Sequence, residues 1–229
     1  MSRESFRRLQ ERLGDPLLTA LTVMMMLLLF VTGPLEASGV TAAHFFGILF
    51  ACVLVAAVFF VSGSPLALAG TGIALVLSIV TSSLRAHHPS IVDVYLEASG
   101  WLVAGMTLFV VVARAVFAPG RITFHRIVGS ILLYLDVGLI FAALYGLVAL
   151  TAHHGAFSGL PPLNDDPSVG SNVIYFSFVT LTSVGYGDIA PVHPIARALA
   201  NIEAIIGQLY PATLLARLVT LELAHRNNG

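Results

Sequence analysis

Apolar runs of membrane length, broken by short polar connections, dominate this chain. A helix needs about 20 residues to cross about 30 Å of hydrocarbon. Residues 16–35, 41–62 and 65–84 are each long enough and carry no Asp, Glu, Lys or Arg. Residues 92–117 form a weaker run, with Asp93 and Glu97 near its start and Arg114 near its end. Residues 128–151 hold one acid, Asp136, and residues 195–217 hold Arg197, Glu203 and the terminal Arg217. The pattern predicts six spans. The first is too long for the 7–15-residue apolar core of a signal peptide.

Arginine placement supports that count. All 11 cationic residues are Arg. Arg3, Arg7, Arg8 and Arg12 precede the first span, Arg114, Arg121 and Arg126 lie between the fourth and fifth, and Arg217 and Arg226 follow the sixth. Six spans put all nine on one side, which is the cytoplasmic side by the positive-inside rule. A multi-pass protein of the cell membrane (plasma or bacterial inner) is expected, with both termini cytoplasmic. The segments are a cytoplasmic stretch 1–15, a four-helix peripheral domain 16–117, an interfacial linker 118–127, a two-span unit 128–217 and a tail 218–229.

Composition narrows the classes. The chain is 57% hydrophobic and 10% charged, against roughly 25% charged residues in soluble domains. It lacks the polar residues to clothe a soluble enzyme, and it is too apolar for disorder. A net charge of −1 offers no field for nucleic acid. The single cysteine, Cys52, excludes an intrachain disulfide and C-x-x-C sites. The chain has no G-x-G-x-x-G, Walker or nucleophile-elbow motif, so no enzyme and no cofactor are expected.

The long connection, 152–194, is unlike the others. Its first part, rich in proline and aspartate, reads as loop. Its second part, 171–182, is apolar and helical in length but too short to span, which suggests a re-entrant helix. Thr182-Ser183-Val184-Gly185-Tyr186-Gly187-Asp188 follows. Irregular backbone at membrane depth is tolerated only beside protein or a water-filled path. Alternate glycines let successive carbonyls face one way, where they replace the water around a dehydrated cation. One strand does not surround an ion, whereas four related by a rotation axis do.

The run Tyr175-Phe-Ser-Phe-Val-Thr-Leu-Thr-Ser-Val-Gly-Tyr-Gly-Asp188, continuing through Ile189-Ala-Pro191, resembles the pore helix and selectivity filter of potassium channels. The resemblance covers about 121–225. It implies an all-α integral membrane protein of six transmembrane helices plus a re-entrant pore helix and filter. The outer helix would be 128–151, the pore helix 171–182, the filter 182–188 and the inner helix 195–217. It implies a homotetramer in the lipid bilayer that conducts K+ passively. The carbonyls of Ser183, Val184, Gly185 and Tyr186, with the Ser183 hydroxyl, would ligate K+, between Thr182 at the inner end and Gly187 at the outer mouth. Asp188 would lie behind the filter. Tyr175 stands where many members carry a Trp bonded to that Asp. Phe176 stands where others carry a Trp bonded to the filter Tyr, and that tie is absent here. Ser183 replaces the usual Thr, which loses a methyl and frees the rotamer. The alternatives are a weakly selective monovalent cation channel and a non-conducting scaffold or auxiliary subunit.

Several residues admit two readings. Gly207 falls at the bending glycine of related channels, with Pro211 one turn on; it is either a hinge or a site of close helix packing. Glu203 either braces the filter or draws cations inward, or it is a buried acid satisfied by Ser, Thr or Tyr; Asp136 is open in the same way. Gln208 is a candidate for lining the cavity. Asp93 and Glu97 are expected to pair with Arg85. His87, His88, His153 and His154 are expected to be solvated rather than metal-binding. Residues 92–117 lack the repeated Arg of a voltage sensor, so steep voltage gating is not expected.

Overall fold

A computed structural model describes residues 16–32, 69–74, 76, 91–117, 123–152, 155–160 and 168–227. Helix α1 spans Pro16–Val31 and finishes in a π-helical turn, Leu28–Thr32. Residues 69–74 are helical, within the expected third span. Helix α2 is Ile91–Val116, α3 is Phe124–Thr151, α4 is Ser168–Leu181 and α5 is Pro194–Asn227. A two-residue strand β1, Phe157–Ser158, pairs antiparallel with β2, Ala190–Pro191. Among the described residues, two helical stretches are long and apolar enough to cross a membrane, Ala98–Val116 and Phe124–Thr151. The expected second span, most of the third, the segment 1–15 and the side chains of Arg85, His87, His88, Asp93, Glu97, His153 and His154 lie outside the described residues.

Among the described residues, three boundaries shift by three residues or more from the sequence reading. α3 begins at Phe124 rather than 128, because Thr123 is extended and its side chain accepts from the Arg126 N–H, capping the helix earlier. α4 begins at Ser168 rather than 171. α5 runs 34 residues to Asn227, so most of the expected tail is helix. At 1.5 Å per residue it is about 51 Å long, well beyond the hydrocarbon thickness. It starts with Pro at the first helical position, and the His193 ring accepts from the Ile195 N–H at 3.3 Å.

Apolar burial is a weak drive between helices in lipid, so close packing through small residues has to hold them. Leu18, Leu21, Met25 and Leu29 of α1 pack with Leu108, Val112 and Val116 of α2 and Leu132, Leu133 and Leu135 of α3. Gly129 admits Val116 and Leu18 there, and Gly105 of α2 faces Ile140 of α3. Two polar ties fasten α1 near the start of α3: Thr22 donates to the Val128 carbonyl at 3.2 Å, and Thr19 meets His125 at 2.7 Å. A second cluster joins Val137, Phe141 and Tyr145 of α3 to Val173, Phe176 and Leu181 of α4 and to Ile189. It seats the short α4 between α3 and α5.

Candidate functional site: a carbonyl-lined strand behind a short apolar helix

α4 has 14 residues, about 21 Å of helix. It is too short to span, and it ends against the middle of α5. Thr182 and Ser183 turn the chain, and 184–186 are irregular. Ser183, Gly185 and Gly187 take positive φ (57°, 58° and 80°), while Val184 and Tyr186 between them do not. Such alternation gathers successive N–H groups on one side of the strand and carbonyls on the other. The strand's first three N–H groups are already committed. Ser183 donates to the Thr180 carbonyl at 2.9 Å, and Val184 and Gly185 both donate to the Val179 carbonyl, at 3.0 and 3.3 Å. The carbonyl side is left open, and every residue from Thr182 to Asp188 is exposed on the single chain.

The left-handed turn at Ser183 was not legible in the sequence, where only the glycines marked such positions. Serine meets less penalty there than a β-branched residue.

α5 supports α4 at two levels. Glu203 of α5 is wholly buried. Tyr145 of α3 donates to its Oε2 at 2.6 Å, and its Oε1 lies 2.5 Å from the Ser177 hydroxyl of α4. The satisfied acid and the brace are therefore one contact, joining α3, α4 and α5. Ser177 has one proton but two acceptor neighbours, the other being the Gly138 carbonyl at 2.7 Å. Ser177 thus shares its proton between Glu203 and Gly138, and Tyr145 donates its own to Glu203. Sequence reasoning singled out Glu203 and missed Ser177, Tyr145 and Gly138, since nothing local ties positions 58 and 26 residues away in the chain.

One turn on, α5 touches the end of α4. A Cβ built on Gly207 would overlap the Leu181 carbonyl oxygen and lie 2.7 Å from the carbonyl carbon. Gly207 is thus a close-packing position. Pro211 stays within the helix. Lacking an N–H, it leaves the Gly207 carbonyl without its usual partner four residues on. Gln208 comes next, and its Nε2 donates to the Ser183 hydroxyl at 2.9 Å.

At the far end of the strand, Tyr175 hydrogen-bonds Asp188, and its ring stacks on Tyr186 at 6.5 Å and 1°. Phe176 turns away from Tyr186 into a ring cluster, 4.9 Å from Tyr145 and 5.2 Å from Phe157. Phe157 belongs to the β1–β2 strap, which lies in the region read as loop. Gly159, beside the strap at φ +80°, approaches so closely that a Cβ would overlap the Asp188 carbonyl. The Gly-Leu-Pro-Pro run at 159–162 was the only local sign of a constrained chain there. Asp136 is buried on α3, and neither of its oxygens has a hydrogen-bond partner among the described residues. It faces the α2 backbone near Gly105, away from the strand. No group of three or more His, Cys, Asp or Glu fit to hold a metal occurs among the described residues.

Known proteins resemble stretches of this chain. Protein LctB of Bacillus caldotenax is 35% identical over 88 residues, covering 38% of this chain and 64% of that protein. Protein LctB of Geobacillus stearothermophilus is 37% identical over 81 residues, covering 34% of this chain and 59% of that protein. The chain thus spans less than two thirds of the length of either relative. No solved structure matches. Residues 131–222, less than half the chain but including most of α3, all of α4, the strand and most of α5, match the family model described as an ion channel, and this match supports an ion channel pore domain in the chain.

Proposed function

We propose that the chain is the subunit of a homotetrameric, potassium-selective channel. Its ion path is lined by the carbonyls of Ser183, Val184, Gly185 and Tyr186. The observation that carries this reading is the alternation of φ at Ser183, Gly185 and Gly187, with the N–H groups of Ser183, Val184 and Gly185 bonded back to α4. A dehydrated cation needs such oxygens on all sides. One strand supplies one side, so the ring requires further copies.

The exposed apolar surface agrees with this. Val184 and Tyr186 are 52% and 71% exposed, and Ile202, Ile205 and Leu209 form a stripe along α5, each at least half exposed. Apolar surface grouped beside an open carbonyl row fits a subunit interface. Conduction is passive, with ions in single file repelling one another onward. Voltage dependence is shallow, because Arg114, in the last turn of α2, is the only cation in that helix. The membrane-embedded, multi-pass placement with both termini inside is part of the same proposal.

The place of Phe176 in the ring cluster with Tyr145 favours a second reading, a pore of low selectivity, because among the described residues the ring held against Tyr186 is that of Tyr175. One experiment separates the possibilities: planar-bilayer recording of the purified protein under opposed potassium and sodium gradients. A reversal potential near that of potassium supports the selective channel. One near zero supports the weakly selective pore, and absence of current from reconstituted tetramers overturns both.

A further inference from the structure

We propose that Gln208 is a positioning residue for the innermost cation site, fixing the Ser183 hydroxyl as a ligand. This rests on the potassium-channel reading of the strand and goes beyond it, because the side chain belongs to the inner helix rather than the filter. Ser183 holds φ +57°, a conformation that penalises a β-branched residue more than a serine. Serine meets that backbone demand but loses the branch that restricts χ1, so its hydroxyl has more rotamers to choose from. A wandering hydroxyl is a poor ligand.

Gln208 restores the order. Its Nε2 donates to Ser183 Oγ at 2.9 Å, which selects one rotamer. One oxygen lone pair then faces the amide and the other stays free for a cation. Both side chains are exposed on the single chain, beside the open carbonyl row. Its position is also well held. The preceding residue, Gly207, is locked against Leu181, so the helix delivers the amide to the same height in every subunit. Four such amides would order four hydroxyls in a ring.

The test is a double-substitution cycle read by barium block from each side of the bilayer. Gln208→Met keeps length and removes the donor, Ser183→Ala removes the hydroxyl, and Gln208→Ala provides a second donor-free variant. The expected result is that Gln208→Met weakens block by internal barium about fivefold or more, the scale of one lost hydrogen bond. Ser183→Ala should weaken it at least as much, and the double variant no more than Ser183→Ala alone. Block by external barium and the melting temperature of the tetramer should stay as in wild type, which a merely structural role for Gln208 would not predict. Unchanged internal block in both Gln208 variants, or a double variant weakened by the product of the two single effects, overturns the proposal while leaving the channel reading intact. A wild-type protein that carries no barium-sensitive current overturns the channel reading, and this inference with it.

Discussion

Alanine at position 207 distinguishes a hinge from a packing contact. On a hinge, alanine stiffens the helix by about 1 kcal/mol, closing the pore more often without harming assembly. The geometry at Leu181 predicts another outcome. The new Cβ would overlap the Leu181 carbonyl oxygen and lie 2.7 Å from its carbon, so the helices must separate by more than the about 0.7 Å that would restore an ordinary 3.4 Å contact with the carbon alone. The obstructing atoms are backbone at the end of α4, and that carbonyl also accepts from the Tyr134 hydroxyl at 3.3 Å. Neither partner yields cheaply. Overpacking costs about 1–3 kcal/mol, and contact with backbone belongs at the upper end. After the gain in helix propensity the net cost is about 2 kcal/mol per chain. The Gly207→Ala protein should therefore melt earlier as a tetramer, and α4 should carry the filter out of register. Thermal melting followed by size-exclusion chromatography reads the first effect, and reversal potentials in mixed potassium and sodium read the second. A variant that melts like wild type, keeps its selectivity and differs only in open probability would refute the packing argument.

Three further expectations follow from the same contacts. Glu203→Gln should retain tetramer yield, because the amide can donate to Ser177 and accept from Tyr145, whereas Glu203→Ala leaves the Tyr145 hydroxyl unpaired at about 1–3 kcal/mol per chain; equal yields of the two variants would sink the brace. Gly185→Ala meets nothing within 4 Å on its own chain, so its cost is conformational, about 1–2 kcal/mol for leaving glycine at a left-handed position; selective current should vanish while the helical circular dichroism persists. Tyr175→Phe keeps the stack on Tyr186 but loses the bond to Asp188, so single-channel openings should shorten at unchanged tetramer yield, and unaltered open times would show that the bond does not steady the outer strand.

What could be read from the sequence was whatever has a local signature. The short helix α4 was legible because an apolar stretch of helical length, too short to span, stands between the proline-rich loop and the glycine-marked strand. The backbone pattern of the strand was partly legible because Gly185 and Gly187 mark two of its three positive-φ positions; the third, Ser183, carries no such mark. The inner helix was cut short at 217, since Arg217, Glu222, His225 and Arg226 end the hydropathy signal while the helix continues to Asn227. The strap was invisible for a different reason. Two residues give no alternation to detect, and the partner of Ser158 is Ala190, beyond an entire helix. The buried acid at 203 stood out, but its partners did not, because pairing across three helices is set by packing.

Taken together, these contacts locate the support of the strand. In channels that resemble this one, an aromatic pair on the pore helix is expected to hold the filter from outside. Here Tyr175 keeps half of that arrangement, and Phe176 has left it for the ring cluster with Tyr145 and Phe157. The inner helix makes up the difference from behind and below. Glu203 meets Ser177, Gly207 meets Leu181 and Gln208 meets Ser183, so α5 follows α4 and its strand down three successive levels. The first two partners lie four residues apart on both helices, one turn in each case, and the third steps from helix into strand. Any movement of α5 near Pro211 is therefore passed to Leu181 and Ser183 before it can reach Tyr186. A perturbation of the inner helix should alter the innermost cation site first, whereas one at Tyr175 should alter the outer mouth and leave that site unchanged. Barium applied from each side, with Gly207→Ala and Tyr175→Phe compared, reads this order directly; equal effects of both variants on internal block would show that the two ends of the strand move as one.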